Sequence, residues 1–66
     1  MEALFNYVGG YDAGEHYPGP ERDGQIISVA PLPESEYDRR EVGQMYRAAF
    51  PDGAVFDLFA DEVASL

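Results

Sequence analysis

The run Phe50-Pro51-Asp52-Gly53-Ala54 restricts this chain more than any other stretch, because it demands a tight reversal between two apolar segments. Proline suits the second position of a type I turn, aspartate the third, and glycine the left-handed residue that follows. With that geometry Phe50 faces Ala54, Ala48 faces Phe56 and Tyr46 faces Leu58 on one side of a β-hairpin. The other side carries Ala49 with Val55, Arg47 with Asp57, and Met45 with Phe59. The first set can enter a core at every position. The second brings opposite charges together at Arg47 and Asp57, a favourable cross-strand pair. A slip of one residue would lose this match and turn the apolar set outward. Turn chemistry and cross-strand complementarity therefore predict one register.

Upstream, residues 3–8 read as a strand, with Ala3, Phe5 and Tyr7 on one face and Leu4, Asn6 and Val8 on the other. Residues 9–24 form a long loop, since Gly9, Gly10, Gly14, Gly19 and Gly24 with Pro18 and Pro20 forbid a regular helix or a central strand. Tyr11, His16 and Tyr17 make it more than a linker, because rings in a loop either pin it to a core or face a partner. Residues 25–32 are a second strand, in which Ile26, Ile27 and Val29 favour the pleated backbone. Pro31 lacks a ladder donor and should end the pairing or place the strand at an edge. Residues 33–44 read as an acidic connection with at most one helical turn. A rival is a helix over about 36–49, capped by Ser35, with Val42, Met45, Tyr46 and Ala49 at helical spacing. Gly43 opposes that helix, and Met45 and Tyr46 are needed by the hairpin. After Phe59, one turn at Asp61 and Glu62 and a short closing strand over 63–66 complete the chain.

The expected fold class is all-β: a small SH3-like barrel of four to five short strands with a C-terminal β-hairpin. The alternative is an α+β arrangement with a helix at about 36–49. Sixty-six residues make a single small domain, with the long loop at 9–24 and the barrel core at 25–66. Such a chain buries only about 60% of the surface its unfolded form exposes. There is no cysteine, so disulfides and thiolate metal sites are excluded, and one histidine cannot build a His-rich site. Aromatic residues must carry the core, each removing about 150–250 Å² from water. Self-association into a homodimer stays open as a further stabiliser.

Thirteen acids stand against four arginines and no lysine, a net charge of −9. Direct binding to a nucleic-acid backbone is not expected, because that affinity comes from cationic side chains displacing counterions. Anionic membranes are disfavoured for the same reason, and a cytoplasmic location is expected from the acidic N-terminal residues and the absence of a long apolar run. The field favours a partner protein with a basic surface.

The segments Glu36-Tyr-Asp, Val42-Gly-Gln-Met-Tyr-Arg, Phe50-Pro-Asp-Gly and Phe56-Asp-Leu-Phe-Ala-Asp-Glu-Val63 resemble those of small bacterial and mobile-element proteins with an SH3-like barrel of the Tudor or KOW type. The resemblance covers roughly residues 25–64. It implies the fold and attaches no activity. Ala48 and Ala49 depart from it, standing where branched residues are usual.

No catalytic, metal-ligating or cofactor-binding residue is assigned. The three serines have no context tying them to His16, the acids lack calcium-loop spacing, and the glycines show no phosphate-binding pattern. Tyr7, Tyr11, Tyr17 and Tyr46 have the chemistry of a cage for a methylated cation, weighed against the plainer role of filling a small core. The candidate partner-binding residues are Tyr11, His16 and Tyr17 of the loop, Glu34, Glu36, Asp38 and Glu41 of the connection, and Asp61 and Glu62 of the last turn. The expected function is a non-catalytic, acidic protein-interaction module. The alternative is a nucleic-acid mimic, from a phage or mobile element, that occupies the basic groove of a DNA-binding enzyme.

Overall fold

A computed structural model describes residues 1–9 and 17–66. Five antiparallel strands form one sheet in the order β4-β3-β2-β1-β5. They are β1 (Glu2–Phe5), β2 (Ile26–Pro31), β3 (Met45–Ala49), β4 (Val55–Phe59) and β5 (Val63–Ala64). Short 3₁₀ turns lie at Pro20–Arg22, Glu34–Glu36 and Ala60–Glu62, and one four-residue helix, α1, spans Arg39–Val42. The chain is all-β and barrel-like, with one face of the sheet gathered round a single core.

The hairpin has the register that its turn requires: Met45 faces Phe59, Tyr46 Leu58, Arg47 Asp57, Ala48 Phe56 and Ala49 Val55. The Gly53 amide donates to the Phe50 carbonyl at 3.0 Å and the Phe50 amide to the Ala54 carbonyl at 2.8 Å. Gly53 has φ +91°, a left-handed backbone that side-chain-bearing residues adopt only at a cost.

Ala3, Phe5, Ile27, Val29, Ala48, Phe50 and Leu58 form the core, with Tyr7, Tyr46, Ala54, Phe56 and Val63 packed against it. Every inward residue predicted for the hairpin belongs to this cluster. Phe50 meets both Phe5 and Phe56 edge-to-face, at centroid distances of 5.4 and 5.5 Å, a favoured aromatic geometry. Ala48 is wholly buried, opposite Val29 on one side and Phe56 on the other. A small residue at position 48 leaves room for the rings.

Pro31 ends β2. The Val29 amide donates to the Met1 carbonyl and the Leu32 amide to Met45. Odd-numbered donors of β2 thus point towards β1, and the donor that Pro31 lacks falls beyond the last β1 pairing. The proline costs no ladder bond, so β2 sits inside the sheet and ends there.

The rival helix over 36–49 does not form. Its C-terminal part is β3, and only Arg39–Val42 is helical. Asp38, not Ser35, is the cap: its Oδ1 accepts from the Arg40 amide at 3.0 Å. Gly43, at φ +77°, closes the turn with its amide on the Arg39 carbonyl at 2.8 Å. No helix among the described residues is long and apolar enough to cross a membrane.

Candidate functional site

The outward face of the β3–β4 hairpin gathers charge and aromatic surface in two adjoining rows. Strand alternation sends Arg47, Asp57, Met45 and Phe59 to this face. Arg47 Nε donates to Asp57 Oδ1 at 3.0 Å, and its Nη2 lies 3.5 Å from Glu36 Oε1. Hydrogen bonding to Asp57, and the charges of Asp57 and Glu36, raise the Arg47 pKa above its ordinary value. One pair further along, Met45 faces Phe59, and Tyr17 stacks on Phe59 with ring centroids 6.5 Å apart and planes 15° apart. Tyr17, Phe59 and Met45 are all half-buried. The Tyr37 hydroxyl accepts from the Met45 amide at 3.1 Å, which holds the acidic connection, and with it Glu36, beside the hairpin.

A second cluster joins the 3₁₀ turn at Pro20–Arg22 to the hairpin turn. Arg22 makes a fork-on-fork pair with Asp52, Nη1 to Oδ1 at 3.0 Å and Nη2 to Oδ2 at 2.9 Å. Its guanidinium also lies over the rings of Phe50 and Phe56, 5.1 and 5.5 Å from their centroids. This bonding raises the Arg22 pKa and, together with the Ala54 amide, lowers that of Asp52. The aspartate that shapes the turn is thus also the anchor for residues thirty positions upstream. Sequence reasoning missed Arg22: no local pattern marks it, and the one available signal is that it is the only cation in the long loop.

The nine candidate partner-binding residues are dispersed. Tyr11 and His16 lie outside the described residues. Tyr17 and Glu36 belong to the outer hairpin face. Glu34 is exposed and lies 3.4 Å from Arg39, Asp38 caps α1, and Glu41 is exposed on α1. Asp61 is exposed, and its carbonyl accepts from Asn6 Nδ2 at 3.0 Å.

Glu62 is not on the surface. It is 2% exposed, and its Oε1 accepts from the Phe59 amide at 3.0 Å, closing the turn before β5. Burial, the largest cause, raises its pKa above the ordinary value, while the Phe59 hydrogen bond opposes the shift. Its carboxylate is committed to the fold.

Of the four cage tyrosines, Tyr7 and Tyr46 pack on the core, Tyr17 stacks on Phe59, and Tyr11 lies outside the described residues. Concavities lined by described residues include two. One, of about 290 Å³, opens between Tyr46, Ala60 and the residues from Val63 to Leu66; the other, of about 380 Å³, is bounded by Glu34, Tyr37, Asp38, Arg39 and Arg40.

Among the described residues, Arg22 is thus paired with Asp52, Arg39 with Glu34, and Arg47 with Asp57 and Glu36. Among the described residues, the outer hairpin face sets the half-buried Tyr17, Phe59 and Met45 beside the charged Arg47, Asp57 and Glu36. No protein-family model matches the chain, and neither a curated protein nor a solved structure matches it.

Proposed function

We propose that this chain is a non-catalytic protein-interaction module, an SH3-like barrel whose outer hairpin face binds a partner protein with a basic surface. The observation that carries this reading is the adjoining of two rows on one face, Met45, Phe59 and Tyr17 beside Arg47, Asp57 and Glu36. Aromatic residues and methionine are the side chains that protein interfaces enrich, and they supply holding energy when desolvated. The surrounding carboxylates supply a field that speeds encounter with a cationic partner. Pairing within the chain supports the same sign of partner, since among the described residues it engages Arg22, Arg39 and Arg47 while Glu2, Glu21, Glu41 and Asp61 stay exposed.

The nucleic-acid mimic draws on the same charge but asks for a row of unneutralised acids. Over residues 34–41 the pairing of Glu34 with Arg39, Glu36 with Arg47, and the capping role of Asp38 break such a row.

Affinity for a captured partner, measured across a salt series, tests the reading. Tyr17→Ala is expected to weaken binding roughly 30-fold or more, the scale of an aromatic anchor. Replacing Glu34, Glu36, Asp38 and Glu41 by their amides together should slow association and leave dissociation nearly unchanged. Binding untouched by Tyr17→Ala in a folded variant would remove the aromatic row from the interface. Binding that collapses with the four amides and with salt would favour the mimic.

A further inference from the structure

The hairpin turn that fixes the fold also carries a chemistry of its own. An aspartyl carboxyl followed by glycine is open to attack at Cγ by the next residue's amide nitrogen. A C–N bond forms, and the hydroxyl of the protonated carboxyl leaves with the amide proton as water, giving a five-membered succinimide. Water then adds back at either carbonyl and yields aspartate or isoaspartate. In the latter the main chain runs through Cγ and is one methylene longer. The sequence needs no oxidant or cofactor, and the hydrolysed product has the original mass.

In the folded chain both reacting groups are engaged. The Gly53 amide donates to the Phe50 carbonyl at 3.0 Å. Asp52 Oδ1 accepts from Arg22 Nη1 at 3.0 Å and from the Ala54 amide at 3.2 Å, while Oδ2 accepts from Arg22 Nη2 at 2.9 Å. Among the described residues no atom stands within 4 Å of where a Gly53 side chain would start, and the Asp52 side chain is 58% exposed. Attack requires the carboxyl to leave the guanidinium fork and the amide to leave its turn bond. The arginine also keeps the carboxyl ionised, which makes its oxygen a poor leaving group.

We propose that Asp52 is a latent succinimide and isoaspartate modification site, and that Arg22 is the positioning residue that holds it closed while the fold is intact. The inference is independent of partner binding. Its consequence is structural: an isoaspartate at 52 lengthens the turn, moves the carboxylate off Arg22 and releases the long loop from the hairpin.

The full chain is incubated at near-neutral pH, folded and in urea, and isoaspartate at 52 is read by fragmentation mapping, with folding followed by circular dichroism. The urea-unfolded chain is expected to accumulate isoaspartate about tenfold faster or more, a difference that a modest change in barrier produces. Arg22→Ala, where folded, should approach the unfolded rate. Arg22→Lys, which keeps the charge and loses the fork, should fall between. Asp52→Glu, whose ring closure would be six-membered, should give no signal at that position. A folded wild-type chain that modifies as fast as the unfolded one overturns the proposal. So does a folded Arg22→Ala no faster than wild type; should that variant unfold, Arg22→Lys at the wild-type rate is equally decisive.

Discussion

Two carboxylates close the two ends of this sheet, and they do it in opposite ways. At the hairpin end, Asp52 meets an arginine fork in a largely exposed setting, and its pKa is lowered. At the β5 end, Glu62 is buried with a backbone amide for its partner, and its pKa is raised. Asp52 is held as a charge; Glu62 is held in spite of one. The same acid chemistry therefore serves one junction as an ion pair and the other as a cap, and the difference lies in what each finds nearby. Arg22 brings a cation to the turn. Around the 3₁₀ turn at Ala60–Glu62 the bonds come from backbone and amide groups, with Asn6 donating to both the Glu62 and Asp61 carbonyls.

The two ends share one core, and removing its centre should erase the contrast. Phe5 lies in β1, beside β5, yet its ring meets Phe50 at the base of the turn. Phe5→Ala is expected to cost about 3–5 kcal/mol, as much as a core of this size supplies. Urea unfolding monitored by circular dichroism should find the variant largely unfolded. By comparison, the half-exposed Ile26 on the opposite face should tolerate alanine within about 0.5 kcal/mol. Equal losses at the two positions would show that the core is not centred on Phe5.

A smaller change isolates the hairpin end. Gly53→Ala meets no atom within 4 Å, so its cost is set by the backbone at φ +91° alone. About 1–2 kcal/mol is expected from the left-handed penalty, and Gly53→Asn should cost less, because asparagine tolerates that region. Equilibrium denaturation checks both. A cost for Asn equal to that for Ala would mean that something other than φ holds the glycine there.

This contrast also marks what the sequence makes legible. The hairpin register was readable because turn residues, inward apolar set and the Arg47–Asp57 pair are all within fifteen positions and each excludes the slipped alternative. The single helical turn and closing strand followed from Gly43 and from the shortness of the last segment. Contacts that join distant segments left no such mark. Arg22 and Asp52 are thirty residues apart, and a lone arginine in a loop looks like any solvated cation. Glu62 reads as surface because acids are almost never fully buried, and only the fold shows that its carboxylate is needed to satisfy the Phe59 amide. Asp38 rather than Ser35 is the cap because Ser35 lies within the 3₁₀ turn at Glu34–Glu36 and the helical turn starts only at Arg39. Of the expected interaction surface, Tyr17 and Glu36 fall on the aromatic and ionic face. The neighbours that give them that setting, Met45 and Phe59, were legible only as outward hairpin positions.

The pH dependence of stability gives the finest test of the two ends, and its two contributions have opposite signs. Asp52 has a folded pKa below its ordinary 3.8. It stabilises the fold above that value, and the contribution is lost as pH falls through the folded pKa. Glu62 has a folded pKa above its ordinary 4.5. Its contribution is full below 4.5 and is lost as pH rises through the folded pKa, because the buried carboxylate must then carry its charge. Subtracting variant from wild-type stability in a urea series over acid to neutral pH isolates each group. The difference against Asp52→Asn should grow with pH on the acid side and be flat above. The difference against Glu62→Gln should shrink with pH above 4.5, whatever constant offset the amide introduces. Slopes of the same sign would mean that the two carboxylates are held alike, and the distinction between an ion-paired end and a buried, capped end would fall.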